Sequence, residues 1–244
     1  PHEPSLLDKL LPPYFVASMD EFVALSRSVV TDIEKIDKKQ KPKRFSPHPI
    51  YDHYGDLLPK KQAATQLKLD SNIPYLLFFG FIRSYKGLDL LLEALADERL
   101  KTWNAKLIVA GEFYEDSKSY MDTIERLQLQ DRVILHTSFI PNNEVNLFFS
   151  VADLIVQPYK TATQSGVTQI AYHFEKPMLV TNVGGLAEIV PHGKAGYVAE
   201  PNVTAIADAL VEFYQNPSTF EEGIKAEKQK YAWDKLTNTI LTSK

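Results

Sequence analysis

The chain has 244 residues, 44% hydrophobic and 24% charged, with no cysteine and a net charge of −4. That length suits one large α/β domain, or one domain and part of another. The composition excludes a disulfide framework and a cysteine-based metal site, offers no basic surplus for nucleic acid, and holds no apolar run near the roughly 20 residues of a membrane-spanning helix.

The chain opens on Pro1-His2-Glu3-Pro4, without methionine, so a piece of something longer is expected. Glu21–Ser26 reads as a short strand, and Ser26 or Ser28 as the cap of an amphipathic stretch to Ile36. A charge run follows from Lys35 to Arg44, and Arg44–Pro49 reads as a short edge strand, since proline is barred from a central one. Residues 51–72 lack a sustained period and read as a connector.

From residue 73 the pattern becomes regular. Tyr75–Phe79 is a continuous apolar run ending at Gly80, as in a strand buried on both faces. Leu88, Leu91, Leu92 and Leu95 repeat at helical spacing. Further strands are expected at Ala105–Ala110, Arg132–His136, Asp153–Gln157, Met178–Thr181 and Ala195–Ala199, with helices over 117–128, Val145–Ala152, 166–175 and Val203–Tyr214. The tail from Ser218 to Lys244 reads as helical, with an aromatic cluster at Tyr231 and Trp233. Strands alternating with helices in this way form a parallel sheet covered on both faces, whose ligands sit beyond the carboxyl ends of the strands.

Glycine is scarce, 10 residues in all, and most of them lie from Gly80 to Gly196, at or near strand ends. Three junctions stand out. Gly80-Phe81-Ile82-Arg83-Ser84-Tyr85-Lys86-Gly87 joins a buried strand to a helix. Gly80 permits a tight turn, while Arg83 and Lys86 add two cations where a helix start already favours anions. A solvated basic loop is the alternative. It is neither a dinucleotide fingerprint nor a Walker loop, which speaks against a nicotinamide-dependent dehydrogenase. Thr161–Gln169 leads into a helix through Gln164, Ser165 and Gly166, offering bare backbone donors to a phosphate or sugar, or an ordinary helix cap. At the third, Gly184-Gly185 allows close backbone approach to a ligand, and Glu188 either hydrogen-bonds it or caps the next turn. His48 and His53 suggest no metal set and read as loop histidines.

Taken together, Gly80-x5-Lys86-Gly87, Asp131-Arg132-Val133, Ala152–Pro158, Lys176–Thr181, Gly184-Gly185-x-x-Glu188 and His192-Gly193-x-x-Gly196 resemble the C-terminal half of family 4 (group 1) glycosyltransferases. The resemblance runs over about residues 73–235. It implies the GT-B fold, two Rossmann-like domains facing across a cleft. Here 73–228 would be the nucleotide-sugar donor domain, a parallel sheet with helices on both faces. Residues 1–49 would be the trailing end of an N-terminal acceptor domain, with His2 and Glu3 on the acceptor side, 50–72 a linker and 229–244 a C-terminal crossing helix.

The resemblance further implies that Arg83 and Lys86, beside Gly80, hold the donor diphosphate. Gln164, Ser165, Gly166, Gly184, Gly185 and Glu188 would face its phosphates and sugar, and the base would lie near Phe139 and Ile140. The family often places its arginine directly after the glycine, where this chain has Phe81. Its paired glutamates align with Ala162 and Ile170, so Gln164 or Gln169 substitutes, the donor is read differently, or donor binding is lost.

The expected activity is that of a retaining glycosyltransferase of the hexosyl type in polysaccharide or glycolipid synthesis, with this piece the inactive donor-binding half and its catalytic residues unassigned. The alternative is a binding or scaffold module that lost the sugar chemistry. No cofactor or metal is expected beyond the nucleotide-diphospho-sugar substrate. The expected partners are that donor and a glycan or lipid-linked acceptor held by the missing domain, with no nucleic acid. The expected location is cytoplasmic, or at the inner membrane face, where the run Lys35–Arg44 could touch anionic lipid unless it is only a solvated helix end.

Overall fold

The computed structural model describes residues 6–216 and 220–242, with side chains from Leu11 onward. His2, Glu3 and the start of the tail at Ser218 lie outside the described residues. The chain divides into two compact units, one from the described residues of Pro1–Ile50 and Gln229–Lys244, the other Tyr51–Lys228.

In the first unit, helix α1 (Leu6–Ser18) is followed by β1 (Phe22–Ala24), α2 (Arg27–Ile36) and β2 (Lys43–Phe45). The two strands pair in parallel, Phe22 opposite Lys43 and Ala24 opposite Phe45. Of the two candidate caps, Ser26 is the one used: its Oγ accepts from Val29 N at 3.3 Å. Much of the Lys35–Arg44 run is committed internally. Lys41 donates to the Val16 and Ala17 carbonyls, Lys43 to buried Asp37 at 2.6 Å, and Arg44 pairs with Glu21 at 2.7 Å. Those cations lock the loop after α2, which leaves fewer of them for an anionic surface.

The second unit opens with α3 (Lys60–Leu67), then alternates: β3 (Tyr75–Phe79), α4 (Leu88–Leu95), β4 (Lys106–Ala110), α5 (Lys118–Arg126), β5 (Val133–His136), α6 (Val145–Val151), β6 (Leu154–Gln157), α7 (Gly166–His173), β7 (Met178–Thr181), α8 (Leu186–Ile189), β8 (Gly196–Ala199), α9 (Val203–Gln215) and α10 (Glu221–Lys228). A six-stranded sheet results in the order β5-β4-β3-β6-β7-β8, every pair parallel. The order reverses between β3 and β6, which have β4 and β7 on their outer sides. That crevice is where such sheets bind ligands.

Burial follows position in the sheet. Leu76, Leu77, Leu107, Ile108, Leu154, Ile155, Leu179 and Val180 are all 0% exposed; each such side chain contributes roughly 1.5–3 kcal/mol of burial. Edge strand β5 instead leaves Leu135 open to solvent. Two helical groups cover the sheet: α4 with α5 and α9, and α3 with α6, with α10 packed on α7.

The connector read over 51–72 contains α3, which packs on α6 through buried Ala63 and Ala64 and belongs to the second unit. Two alanines and one leucine among lysines and glutamines make too faint a stripe to read as a helix. Lys60 Nζ reaches both Asp153 carboxylate oxygens at 2.9 and 2.7 Å, and Asp153 accepts from Tyr75 N at 2.7 Å, so one carboxylate ties α3 to the head of β3. The tail is not one helix. α10 ends at a 3₁₀ turn, Gln229–Tyr231, and α11 (Trp233–Leu241) belongs to the other unit. Tyr231 is buried while Trp233 is half exposed. Among the described residues no helix is long and apolar enough to cross a membrane.

Candidate functional site

Two adjoining cavities open at the carboxyl ends of β3, β4 and β6, and Tyr54, Phe79 and Gly80 stand in the walls of both. The larger, about 410 Å³, is lined by Gly80 and Lys86 and by Gln164, Ser165 and Gly166. The smaller, about 200 Å³, is mostly apolar and includes Phe81, Phe139 and Ile140.

Gly80 leaves β3 with φ +91°, and a Cβ placed on it would come within 3.1 Å of Lys86 Nζ. The turn therefore lets the lysine fold back over the strand end. Burial pushes the Lys86 ammonium down to about 8, and the positive charge of Arg83 adds to the effect. It lies 5.8 Å from the Tyr159 ring centroid, a weak cation–π contact. No hydrogen-bond acceptor or carboxylate among the described residues meets Lys86. Lys176 shows the contrast. It is also pushed down to about 8 by burial, yet it donates to the Ser150 and Ala152 carbonyls at 3.3 and 2.9 Å. Lys176 is a structural tie, whereas Lys86 is a half-buried cation with no anion among the described residues.

α7 begins at the wall of the same cavity. Ser165 caps the helix, its Oγ accepting from Val167 N at 3.2 Å and lying 3.1 Å from the buried Tyr159 hydroxyl. Helix starts carry unsatisfied N–H groups and a positive partial charge, so helix and lysine both favour an anion between them. The Tyr51 ring lies against Gly166, its Cε2 3.1 Å from where a Cβ would be.

Of the expected site residues, the structure brings Gly80, Lys86, Gln164, Ser165 and Gly166 around one cavity and Phe139 and Ile140 around its neighbour. Arg83 is in neither wall: its guanidinium stacks on Tyr114 at 3.9 Å, acting on Lys86 through charge. Gly184, Gly185 and Glu188 are outside both walls as well. The close approach at Gly184 (φ +53°) is to the chain's own backbone, since a Cβ there would stand 1.7 Å from the Ala162 carbonyl oxygen. Gly185 N donates to the Thr163 carbonyl at 3.2 Å. The glycine pair thus supports the loop that carries Gln164 and Ser165.

Ile170 is in the larger cavity's wall, and no Asp or Glu side chain is. Gln169 is buried in α7 with Oε1 lacking a partner. His53, read as a loop histidine, stands in this wall with its ring 4.2 Å from that of Tyr54. The sequence gives no sign that Tyr51, His53 and Tyr54 reach this cavity, because nothing in their spacing ties them to β3 or α7. Among the described residues no group of His, Asp and Glu could hold a metal ion.

A parallel α/β sheet with its cavity at the switch point, walled by a lysine and a helix start, defines a Rossmann-like domain of the GT-B kind. The chain belongs to the group 1 glycosyl transferases, whose family model matches residues 73–216. It is 29% identical over 165 residues to an uncharacterized glycosyltransferase of Methanocaldococcus jannaschii, covering 65% of this chain and 44% of the relative. Against the O-antigen chain mannosyltransferase C of Escherichia coli the identity is 25% over 248 residues, 94% of this chain and 63% of the relative. In fold it is similar to HepE of Anabaena solved with UDP and glucose, with a TM-score of 0.77 at 17% identity, covering 96% of this chain and 65% of that one. The chain spans less than two thirds of the length of each.

Proposed function

We propose that Tyr51–Lys228 binds the nucleotide-diphospho-sugar donor of a glycosyl transfer, and that the protein to which it belongs is a glycosyltransferase of polysaccharide or glycolipid assembly. The observation that carries this reading is Lys86, a half-buried ammonium with no acceptor among the described residues, lining the same cavity as the start of α7. A diphosphate supplies the missing anion and fits the space between two positive ends. The relationship to HepE, solved with UDP and glucose, points the same way.

In the transfer, the bond from the sugar's anomeric carbon to the β-phosphate oxygen breaks and its electron pair leaves with the diphosphate. The acceptor hydroxyl oxygen bonds to that carbon, and its proton passes to the departing diphosphate oxygen. Positive charge on the sugar and negative charge on the leaving oxygen both grow in the transition state, by analogy with glycoside hydrolysis. Lys86 and the α7 N–H groups act on the leaving side, where charge held in place before the reaction is most effective. Arg83 reinforces the positive field from its seat on Tyr114. Retention of configuration is proposed from family membership, as are a glycan or lipid-linked acceptor held by further protein and a cytoplasmic location.

A second reading, a binding module without transfer, is favoured by one observation: the cavity wall holds no carboxylate, and Ile170 stands in it. Gln164 is then the neutral partner left for sugar hydroxyls. Calorimetry with UDP-, GDP- and ADP-sugars separates these ideas. Binding of one of them, weakened tenfold or more in Lys86→Ala (about 1.4 kcal/mol), supports the donor reading. No heat from any of them with folded protein rejects it, and binding without turnover by the full-length protein favours the module.

A further inference from the structure

We propose that the smaller cavity reads a guanine base and that Glu112 is the residue that sets this choice, so that the donor is a guanosine-diphospho-sugar. The inference rests on the reading of Lys86 as the diphosphate site and names the nucleotide class that goes with it.

The cavity adjoins the Lys86 chamber through Tyr54, Phe79 and Gly80, so a group joined to a diphosphate at Lys86 extends into it. Its walls suit a flat aromatic ligand. Phe81 and Phe139 are 51% and 64% exposed, yet both stand in the wall beside Ile140 and Val145. Open phenyl rings at a cavity mouth offer the faces on which a base stacks, a contact worth about 1–3 kcal/mol per base.

Two polar side chains other than Tyr54 break the apolar lining, Glu112 and Asn142. Neither has a hydrogen-bond or ionic partner among the described residues. Glu112 is held in place by its backbone: Ile82 N donates to its carbonyl at 2.8 Å, and Tyr114 N to the Ile82 carbonyl at 3.0 Å, extending the β3–β4 ladder beyond the strands. Phe113 packs its ring on Tyr120 of α5, 5.6 Å between centroids. Alternation along an extended chain turns Glu112 to the opposite side from Phe113, that of the cavity.

An ionised carboxylate only accepts, and it pairs best with two adjacent N–H donors. Guanine presents such an edge, ring N1–H beside the exocyclic amine, with the O6 acceptor next to them for an amide donor such as Asn142. Uracil flanks its single N–H with two carbonyls, which a carboxylate repels. Adenine and cytosine put a bare ring nitrogen next to their amine. A site built for a bidentate donor edge rejects bases that lack it, because its own polar groups would be left unpaired.

The test is calorimetric titration of the chain and its Glu112→Gln and Lys86→Ala variants with GDP, UDP and ADP. GDP binds at least tenfold more tightly than UDP or ADP. Glu112→Gln weakens GDP tenfold or more and does not weaken UDP or ADP, whereas Lys86→Ala weakens all three. A preference for UDP or ADP, equal affinities, or an equal loss for all three in Glu112→Gln overturns the guanine assignment while leaving the diphosphate site standing. Failure of all three nucleotides to bind the folded chain overturns both.

Discussion

The Lys86 ammonium rests over Gly80: a Cβ on the glycine would stand 3.1 Å from Lys86 Nζ, and the glycine's φ of +91° is one that side-chain-bearing residues seldom adopt. Strand end and cation are therefore one device. The turn that ends β3 makes the space into which the lysine folds, and the same fold-back partly shields the lysine from water.

Gly80→Ala disturbs both halves of that device. The strained φ costs on the order of 1–2 kcal/mol of stability, and the new methyl shifts the ammonium. Denaturant titration should show that loss, with nucleoside diphosphate affinity falling tenfold or more. Unchanged affinity in a destabilised protein would separate the turn from the site.

Lys86→Met should make the chain more stable while removing its anion affinity. With Lys86 at about 8 in the fold and near 10.4 unfolded, the unfolded chain binds more protons between those values. The penalty for holding the charge is thus full below about pH 8 and is relieved as pH rises toward 10.4. Lys176, also near 8, adds to the same slope. Above pH 10 the trend turns over, since burial raises the Tyr159 and Tyr214 hydroxyls and the unfolded chain then loses protons first. Urea unfolding across pH 7 to 10 should show wild-type stability rising, and Lys86→Met ahead by about 1–3 kcal/mol at pH 7, with the gap closing by pH 10. A less stable variant at pH 7 would mean that Lys86 is a structural tie like Lys176.

Ser165→Ala removes the cap of α7 and the partner of the Tyr159 hydroxyl together. A lost cap costs about 1 kcal/mol, and a buried hydroxyl left alone about 1–3 kcal/mol more. The drop should be measurable by thermal unfolding. Ser165→Thr, which keeps the hydroxyl, should recover most of it.

Gly184→Ala tests whether the glycine pair serves the chain or a ligand. A methyl 1.7 Å from the Ala162 carbonyl oxygen must displace the 161–165 loop, a loss of about 2–4 kcal/mol of the kind that clash and a strained φ produce. Weaker nucleotide binding should accompany lower stability here. A stable variant with normal binding would contradict the packing role.

How far the sequence reached depended on how much chemistry each stretch keeps local. The strands of the second unit were legible because burial on both faces leaves near-continuous apolar runs, as at Tyr75–Phe79 and Met178–Thr181. Helix α3 was not, because two alanines against α6 suffice to bury it and leave no stripe. Gly80 and Lys86 were readable as partners since six residues and one turn join them. Tyr51 and His53 reach the same cavity from a segment with no periodic mark, and only the three-dimensional path shows it. The sequence marks a close approach at Gly184, and in the fold the Ala162 carbonyl stands there: sequence can locate a close approach but not name what is approached.

On the proposed function, Lys86 recovers its charge when a diphosphate binds beside it. The most direct test is the number of protons taken up on binding, obtained from calorimetry at pH 8.5 in buffers of different ionisation enthalpy. At that pH the free Lys86 is mostly neutral and the phosphates are fully ionised, so a diphosphate that draws the ammonium back to its charged form must bring a proton with it. The expected uptake is more than about half a proton per nucleoside diphosphate bound, vanishing in Lys86→Met. Binding with no proton uptake, or an uptake that persists in that variant, would contradict it.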